Sequence, residues 1–252
     1  MNNRFLKNNG KAILTVMVQA DNPQRIKELM DKSAPDGAEA FGVQLEQLEN
    51  IYRSKEIYKD IFTYAKDKPL YVTNYRTEKN IGKTDEELAE GILEAADCGA
   101  DLCDIMGDYF DPQPDEITYD ETAVEKQKAL IDKLHDRGAG VLISTHIKKF
   151  ISVDDILKIA LSHQSRCADI SKIVVGADNM EQQLENLKAV NSLKERLEIP
   201  FLLLSVGECS ILRRIGGELG CCMYLCVYEQ DAFSTPQQPL LKKIKLIRDN
   251  MN

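Results

Sequence analysis

Gly140-Val141-Leu142-Ile143-Ser144-Thr145-His146 and Asp169-Ile170-Ser171-Lys172-Ile173-Val174-Val175 are two short apolar runs bounded by turn residues. Both are rich in β-branched side chains, and continuous apolar runs of this length read as parallel strands buried on both faces. The first ends on Ser144-Thr145-His146, and the second carries Lys172 in its interior. Burial disfavours an ammonium and pushes lysine toward neutrality, by up to roughly 3–5 pKa units in full burial. A neutral lysine attacks carbonyl carbon, and a nearby histidine can move protons. The plainer reading is a lysine whose stem is buried and whose head reaches solvent at the strand end. Lys172 and His146 on neighbouring strands favour the chemical reading.

Working outward, strand-like and helix-like stretches alternate along the whole chain. The strands are expected at 12–20, 40–45, 69–74, 102–106, 140–146, 170–175, 201–205 and 222–227. The helices are expected at 23–32, 54–66, 84–98, 120–136, 152–164, 178–197, 208–219 and 236–248. Asp21-Asn22-Pro23 supplies an Asx cap and an early proline. Thr84 with Glu87 forms a capping box, and Gly99 stops that helix. No linker or shift in composition divides the eight units, so residues 1–252 are expected to form one α/β domain, a (β/α)8 TIM barrel. A doubly wound open sheet is the alternative. No Gly-x-Gly-x-x-Gly follows a strand and no Gly-x-x-x-x-Gly-Lys-[Ser/Thr] occurs, so nucleotide-binding signatures are missing. In a barrel the chemistry gathers at the C-terminal ends of the strands, where His146 lies, with Lys172 pointing inward.

The net charge of −9 comes without a basic stripe, which argues against a nucleic-acid or anionic-membrane partner. No run approaches the roughly 18 apolar residues of a membrane span. Residues 1–10 hold no long apolar segment of the secretory kind. Seven cysteines, at 98, 103, 167, 209, 221, 222 and 226, form no Cys-x-x-Cys pair. They read as reduced thiols of a cytoplasmic protein. Cys221 and Cys222 point to opposite faces of a strand and cannot easily share a metal ion. Asp101, Asp104 and Asp108 raise a magnesium site, but only Asp104 ends a strand facing the mouth, so no metal is expected. His135 and His163 lie near helix C-termini and read as surface residues. Lys148-Lys149 reads as a solvated loop, with a lid after His146 as the alternative.

Several segments together resemble type I 3-dehydroquinate dehydratase, a Schiff-base barrel family, over essentially the whole chain. Ser144-Thr145-His146 is similar to the family's Ser-Tyr-His, and Asp169-Ile170-Ser171-Lys172-Ile173 to its Asp-Ile-Val-Lys-Ile. Ser205-Val206-Gly207 with Arg213-Arg214-Ile215-Gly216-Gly217 resembles a Met-Gly…Ser-Arg…Gly segment, with Arg214 on the family's arginine. Ser234-Thr235-Pro236-Gln237-Gln238 is similar to Ser-Ala-Pro-Gly-Gln, and Thr73-Asn74-Tyr75-Arg76-Thr77 to Thr-x-Arg-[Ser/Thr].

The resemblance implies an imine between Lys172 and a substrate ketone, with His146 as general base and then general acid. It implies a carboxylate held by Arg214, Ser234 and Gln238, ring hydroxyls reached by Arg76, no cofactor, and a homodimer. The substrate it implies is a carboxylate-bearing ketone, 3-dehydroquinate, losing water to give 3-dehydroshikimate. The departures fall on the hydroxyl side. The family's strand-two Glu-x-Arg becomes Gly42 and Gln44, its strand-three glutamate falls at Asn80, and Asp-x-Glu becomes Asp104-Ile105-Met106. Glu46 or Glu78 could substitute after a small shift, and a site lacking those partners discriminates weakly for diols. The alternatives are a relative using the same chemistry on another hydroxylated keto acid, a class I aldolase, and a non-catalytic binder. The aldolase requires phosphate on the backbone amides around Gly207 and Gly216-Gly217.

Overall fold

The computed structural model describes residues 4–6 and 10–251; the greater part of the N-terminal stretch read for a secretory segment lies outside them. Eight strands alternate with eight helices: β1 Ile13–Met17, α1 Pro23–Ser33, β2 Ala40–Gln44, α2 Lys55–Tyr64, β3 Leu70–Thr73, α3 Asp85–Asp97, β4 Leu102–Met106, α4 Glu121–Asp136, β5 Gly140–His146, α5 Val153–Ser165, β6 Ile170–Gly176, α6 Met180–Arg196, β7 Phe201–Val206, α7 Leu212–Leu219, β8 Met223–Cys226 and α8 Leu241–Asn250. All the strand ladders are parallel, in the order β7-β6-β5-β4-β3-β2-β1-β8. Between β7 and β8 a hydrogen bond from Cys222 N to Phe201 O, 2.9 Å, takes the place of a ladder. The result is a nearly closed (β/α)8 barrel, not an open sheet.

The local signals explain the elements. Asn22, Ser54, Asp120, Ser152 and Asn179 each accept a backbone N–H in the first turn of the following helix. Thr84 and Glu87 form the reciprocal capping box. Side-chain alternation splits the apolar residues into two sets. Leu14, Val43, Val72, Ile105 and Ile143 face outward and pack with Ile26, Ile61, Leu88, Ile92 and Ile131 of the helices. Ile13, Ala40, Leu102, Leu142, Ile170, Leu202 and Met223 face inward and fill the barrel below the mouth.

Two helices start later than expected. Gly207 takes φ 94° and starts a turn, so α7 begins at Leu212 rather than Glu208. Asp231 accepts from the N–H groups of Phe233 and Ser234, which holds the segment after β8 as a loop until Leu241. Both differences lengthen loops over the mouth. Among the described residues no helix is long and apolar enough to cross a membrane.

Candidate active site

The mouth of the barrel holds a cavity of about 460 Å³, within the usual range of small-molecule sites. Lys172, His146, Gln44, Arg213 and Gln238 line it, together with Met17, Tyr71, Thr73 and Tyr75. Strand parity puts them there: Leu142, Ser144 and His146 share one face of β5, and Ile170, Lys172 and Val174 share one face of β6. The register Ser144↔Lys172 and His146↔Val174 sets the two chemical residues on adjacent strands, two residues apart in height.

Lys172 is 4% exposed. Its Nζ donates to Tyr75 OH at 2.6 Å, to Tyr71 OH at 3.0 Å and to Asp104 Oδ2 at 3.2 Å. The buried amine expected from the sequence thus lies within ion-pair distance of the Asp104 carboxylate. Asp104 is itself fully enclosed, accepting from Tyr71, from Tyr75 at 2.5 Å and from Ser144 at 2.6 Å. Burial, reinforced by Asp104, pushes both phenols well above the usual tyrosine range, so they remain donors.

His146 is oriented by Glu116. The Glu116 Oε2 atom lies 2.6 Å from Nδ1 and also accepts the His146 backbone N–H at 2.8 Å. Burial raises the Glu116 carboxyl, but His146 and then Lys172 outweigh it and hold it below the usual range. Glu116 thus orients the imidazole through Nδ1. The Tyr75 ring stands edge-on to the imidazole, 5.2 Å between centroids.

Glu116 reaches His146 from the loop after β4 with a left-handed φ of 52°. A bulky residue adopts that conformation only when its surroundings enforce it. Here Thr145 Oγ1 donates to its carbonyl at 3.0 Å, and His163 and Ser171 continue the chain behind. His163 is completely buried, not a surface residue, and burial followed by the nearby Arg166 charge pushes it down to about 3. The Arg166 guanidinium holds the same loop from below, donating to Gly107 O, Thr118 O, Gln127 and Ser162. Gly107 is required here, since a Cβ would lie 2.8 Å from Glu116 O.

The arginine that lines the cavity lies one residue from the one expected. Arg214 is exposed and reaches back to Ser210, so it does not line the cavity. Arg213 is 6% exposed, and its Nε donates to Ser205 O at 2.9 Å. Successive helical residues point about 100° apart, so only one of the pair can face the mouth. Burial lowers Arg213 to about 10, and among the described residues no carboxylate is paired with it. Gln238 stands in the same cavity with a buried Oε1 that has no partner. Ser234 turns away, bonding Asp231 and Glu229 O, and Thr235 and Gln237 face the cavity instead.

Arg76 is also turned away. Its guanidinium is consumed by Asp85 at 2.6 and 2.7 Å and by Asp108 at 2.7 Å. Parity explains it: Tyr71, Thr73 and Tyr75 alternate inward, so residue 76 faces the other way. Gln44 does line the cavity, bonded to Gln19 and, at 3.0 Å, to Glu46. A Cβ on Gly42 would lie 2.2 Å from Met17 Sδ, so Met17 occupies the space beside Gly42. Glu46 is fully buried, held by Thr73 at 2.9 Å, and burial raises it to about 7. Glu78 does not line the cavity.

A model of the type I 3-dehydroquinase family matches residues 14–250. A 3-dehydroquinate dehydratase of Lactiplantibacillus plantarum is 28% identical over 148 residues, 57% of this chain and 57% of that protein. Another, of Clostridium novyi, is 26% identical over 176 residues, 69% of this chain and 66% of that protein. The chain thus aligns with less than two thirds of the length of either curated relative. The fold is similar to the type I 3-dehydroquinate dehydratase of Clostridium difficile solved with covalently modified comenic acid (TM-score 0.80, 20% identity, 96% of this chain and 92% of that one). It is likewise similar to the 3-dehydroquinate dehydratase of Geobacillus kaustophilus (TM-score 0.81, 16% identity, 95% and 90%).

Proposed function

Because the chain belongs to the type I 3-dehydroquinase family, we propose that it is a 3-dehydroquinate dehydratase, a hydro-lyase forming 3-dehydroshikimate through an imine on Lys172. The amine attacks the substrate ketone, and the cationic imine makes the adjacent C–H acidic. His146, oriented by Glu116, removes that proton and returns it to the departing hydroxyl. Hydrolysis of the imine then frees the enone. Arg213 and Gln238 grip the substrate carboxylate, for which a guanidinium fork is suited. One observation carries the reading: a single cavity is lined by Lys172, by the Glu116-held His146 and by a buried guanidinium that has no carboxylate partner among the described residues.

The test is steady-state absorbance of the conjugated enone with 3-dehydroquinate. Turnover supports the reading, and no product at about 1 mM substrate, the upper end of ordinary KM values, overturns it.

A second reading is favoured by the other wall. With Met17 beside Gly42, the Gln44 amide and the diversion of Arg76, no guanidinium or carboxylate among the described residues lines that side. The same imine chemistry would then act on a different hydroxylated keto acid. In either case the substrate class is a ketone bearing a carboxylate. We extend the reading to a homodimer in the cytoplasm. Family kinship supports both, and seven free cysteines support the location.

A further inference from the structure

Nζ of Lys172 must lose protons as the imine forms, and among the described residues its hydrogen-bond partners are Tyr71, Tyr75 and Asp104 rather than His146. His146 Nδ1 is engaged by Glu116, and the Tyr75 ring stands edge-on to the imidazole. Among the described residues Asp104 is the carboxylate within ion-pair distance of Nζ. It is reached in two ways: directly at 3.2 Å, and through Tyr75, whose OH accepts from Nζ at 2.6 Å and donates to Asp104 Oδ2 at 2.5 Å. Tyr71 closes the same triangle, accepting from Nζ at 3.0 Å and donating to Asp104. Ser144 holds the other carboxylate oxygen, so the acceptor is fixed in direction.

We propose that Asp104, relayed by Tyr75, is an acid–base catalyst of imine formation and hydrolysis at Lys172. The inference rests on the reading of Lys172 as the imine-forming residue. The protons balance. One passes from the ammonium to Asp104, and the amine lone pair forms the C–N bond as the carbonyl oxygen takes that proton. A second leaves nitrogen by the same route and converts the hydroxyl to water, which departs with its C–O bond. The third stays on the iminium nitrogen. Asp104 ends as it began, a carboxylate beside a cation, and it stabilises the iminium as it did the ammonium. Hydrolysis runs the relay backward. The phenols serve as relays rather than anions, since burial and Asp104 both keep them protonated.

The experiment compares two readouts in Asp104→Asn and Tyr75→Phe. The first is borohydride trapping of the Lys172 imine, with 3-dehydroquinate and separately with glyoxylate, a small oxo acid. The second is labelling of Lys172 by acetic anhydride at neutral pH, quantified by mass spectrometry. Asp104→Asn removes the ion-pair partner, so burial favours the free amine and labelling is expected to rise. Trapping is expected to fall about 100-fold, the scale of general acid–base catalysis. A structural role moves both readouts in the same direction. Tyr75→Phe leaves the carboxylate in place and is expected to slow trapping about tenfold with labelling little changed. Trapping unchanged in both variants, or falling in step with labelling, overturns the proposal. If Asp104→Asn does not fold, Tyr75→Phe decides by the same criterion. Glyoxylate separates the two ideas: a Lys172 adduct with glyoxylate but none with 3-dehydroquinate contradicts the substrate reading and leaves the relay to be judged on glyoxylate. No adduct at Lys172 with either carbonyl overturns both.

Discussion

The two walls of the barrel mouth are built on different principles. On the side of β6 to β8, among the described residues, the recognition candidates are left partly unpaired: Arg213 has no carboxylate partner and Gln238 Oε1 has no hydrogen-bond partner. On the side of β1 to β3, polar groups satisfy one another. Gln19, Gln44, Glu46, Thr73 and the Tyr75 backbone form one connected chain, and Arg76 is locked to two aspartates. Under the proposed function, the contrast separates the wall that would carry the imine lysine and the carboxylate grip from the wall that would meet the ring hydroxyls.

The contrast is broken most severely by Lys172→Ala. Turnover should fall by at least about 10⁴-fold and borohydride trapping should disappear, as loss of a nucleophile demands. His146→Ala should lower turnover by about 10²–10⁴-fold yet still accumulate the trapped adduct, since the imine does not need it. Next, Arg213→Ala should raise KM by about 10–100-fold, the worth of a charge-assisted hydrogen bond, with kcat less affected. Arg214→Ala, its exposed neighbour, should change KM less than about twofold, as surface substitutions do. Equal effects of the two arginines would erase the distinction drawn between them.

The smallest effect sharpens the other wall. Glu46 is fully buried and raised from 4.5 to about 7, chiefly by burial. A carboxyl raised on folding leaves stability intact below its unfolded value and erodes it as pH rises through the folded value. The loss is complete above about pH 7 and amounts to about 3 kcal/mol. Glu46→Gln should therefore raise Tm at pH 8 and gain nothing at pH 5, by calorimetry. A gain that is equal at both pH values would contradict buried Glu46 as the cause.

The eight-unit fold was legible because each strand is a short apolar run and each helix carries its cap in sequence. Lys172 and His146 were legible because strand alternation fixes which residues face inward once the strand is placed. That Arg213 rather than Arg214 lines the cavity was not legible, because the phase of a short helix depends on where it starts, and α7 starts four residues later than the sequence suggests. Arg76 was misplaced by the same alternation that Tyr71 and Thr73 could have revealed. Glu116 gave no signal: it lies 30 residues before His146 in a loop, in a backbone conformation no propensity favours. The ion pair of Lys172 with Asp104 was also unforeseen, being a meeting of β4 and β6 across an inner face rather than along a ladder.

The imine itself is the point on which everything turns, and peptide mapping after borohydride reduction in the presence of 3-dehydroquinate observes it directly. The account predicts one adduct, on Lys172, whose mass shows whether water has already left. An adduct on any other lysine, or turnover without a trappable adduct, would contradict it.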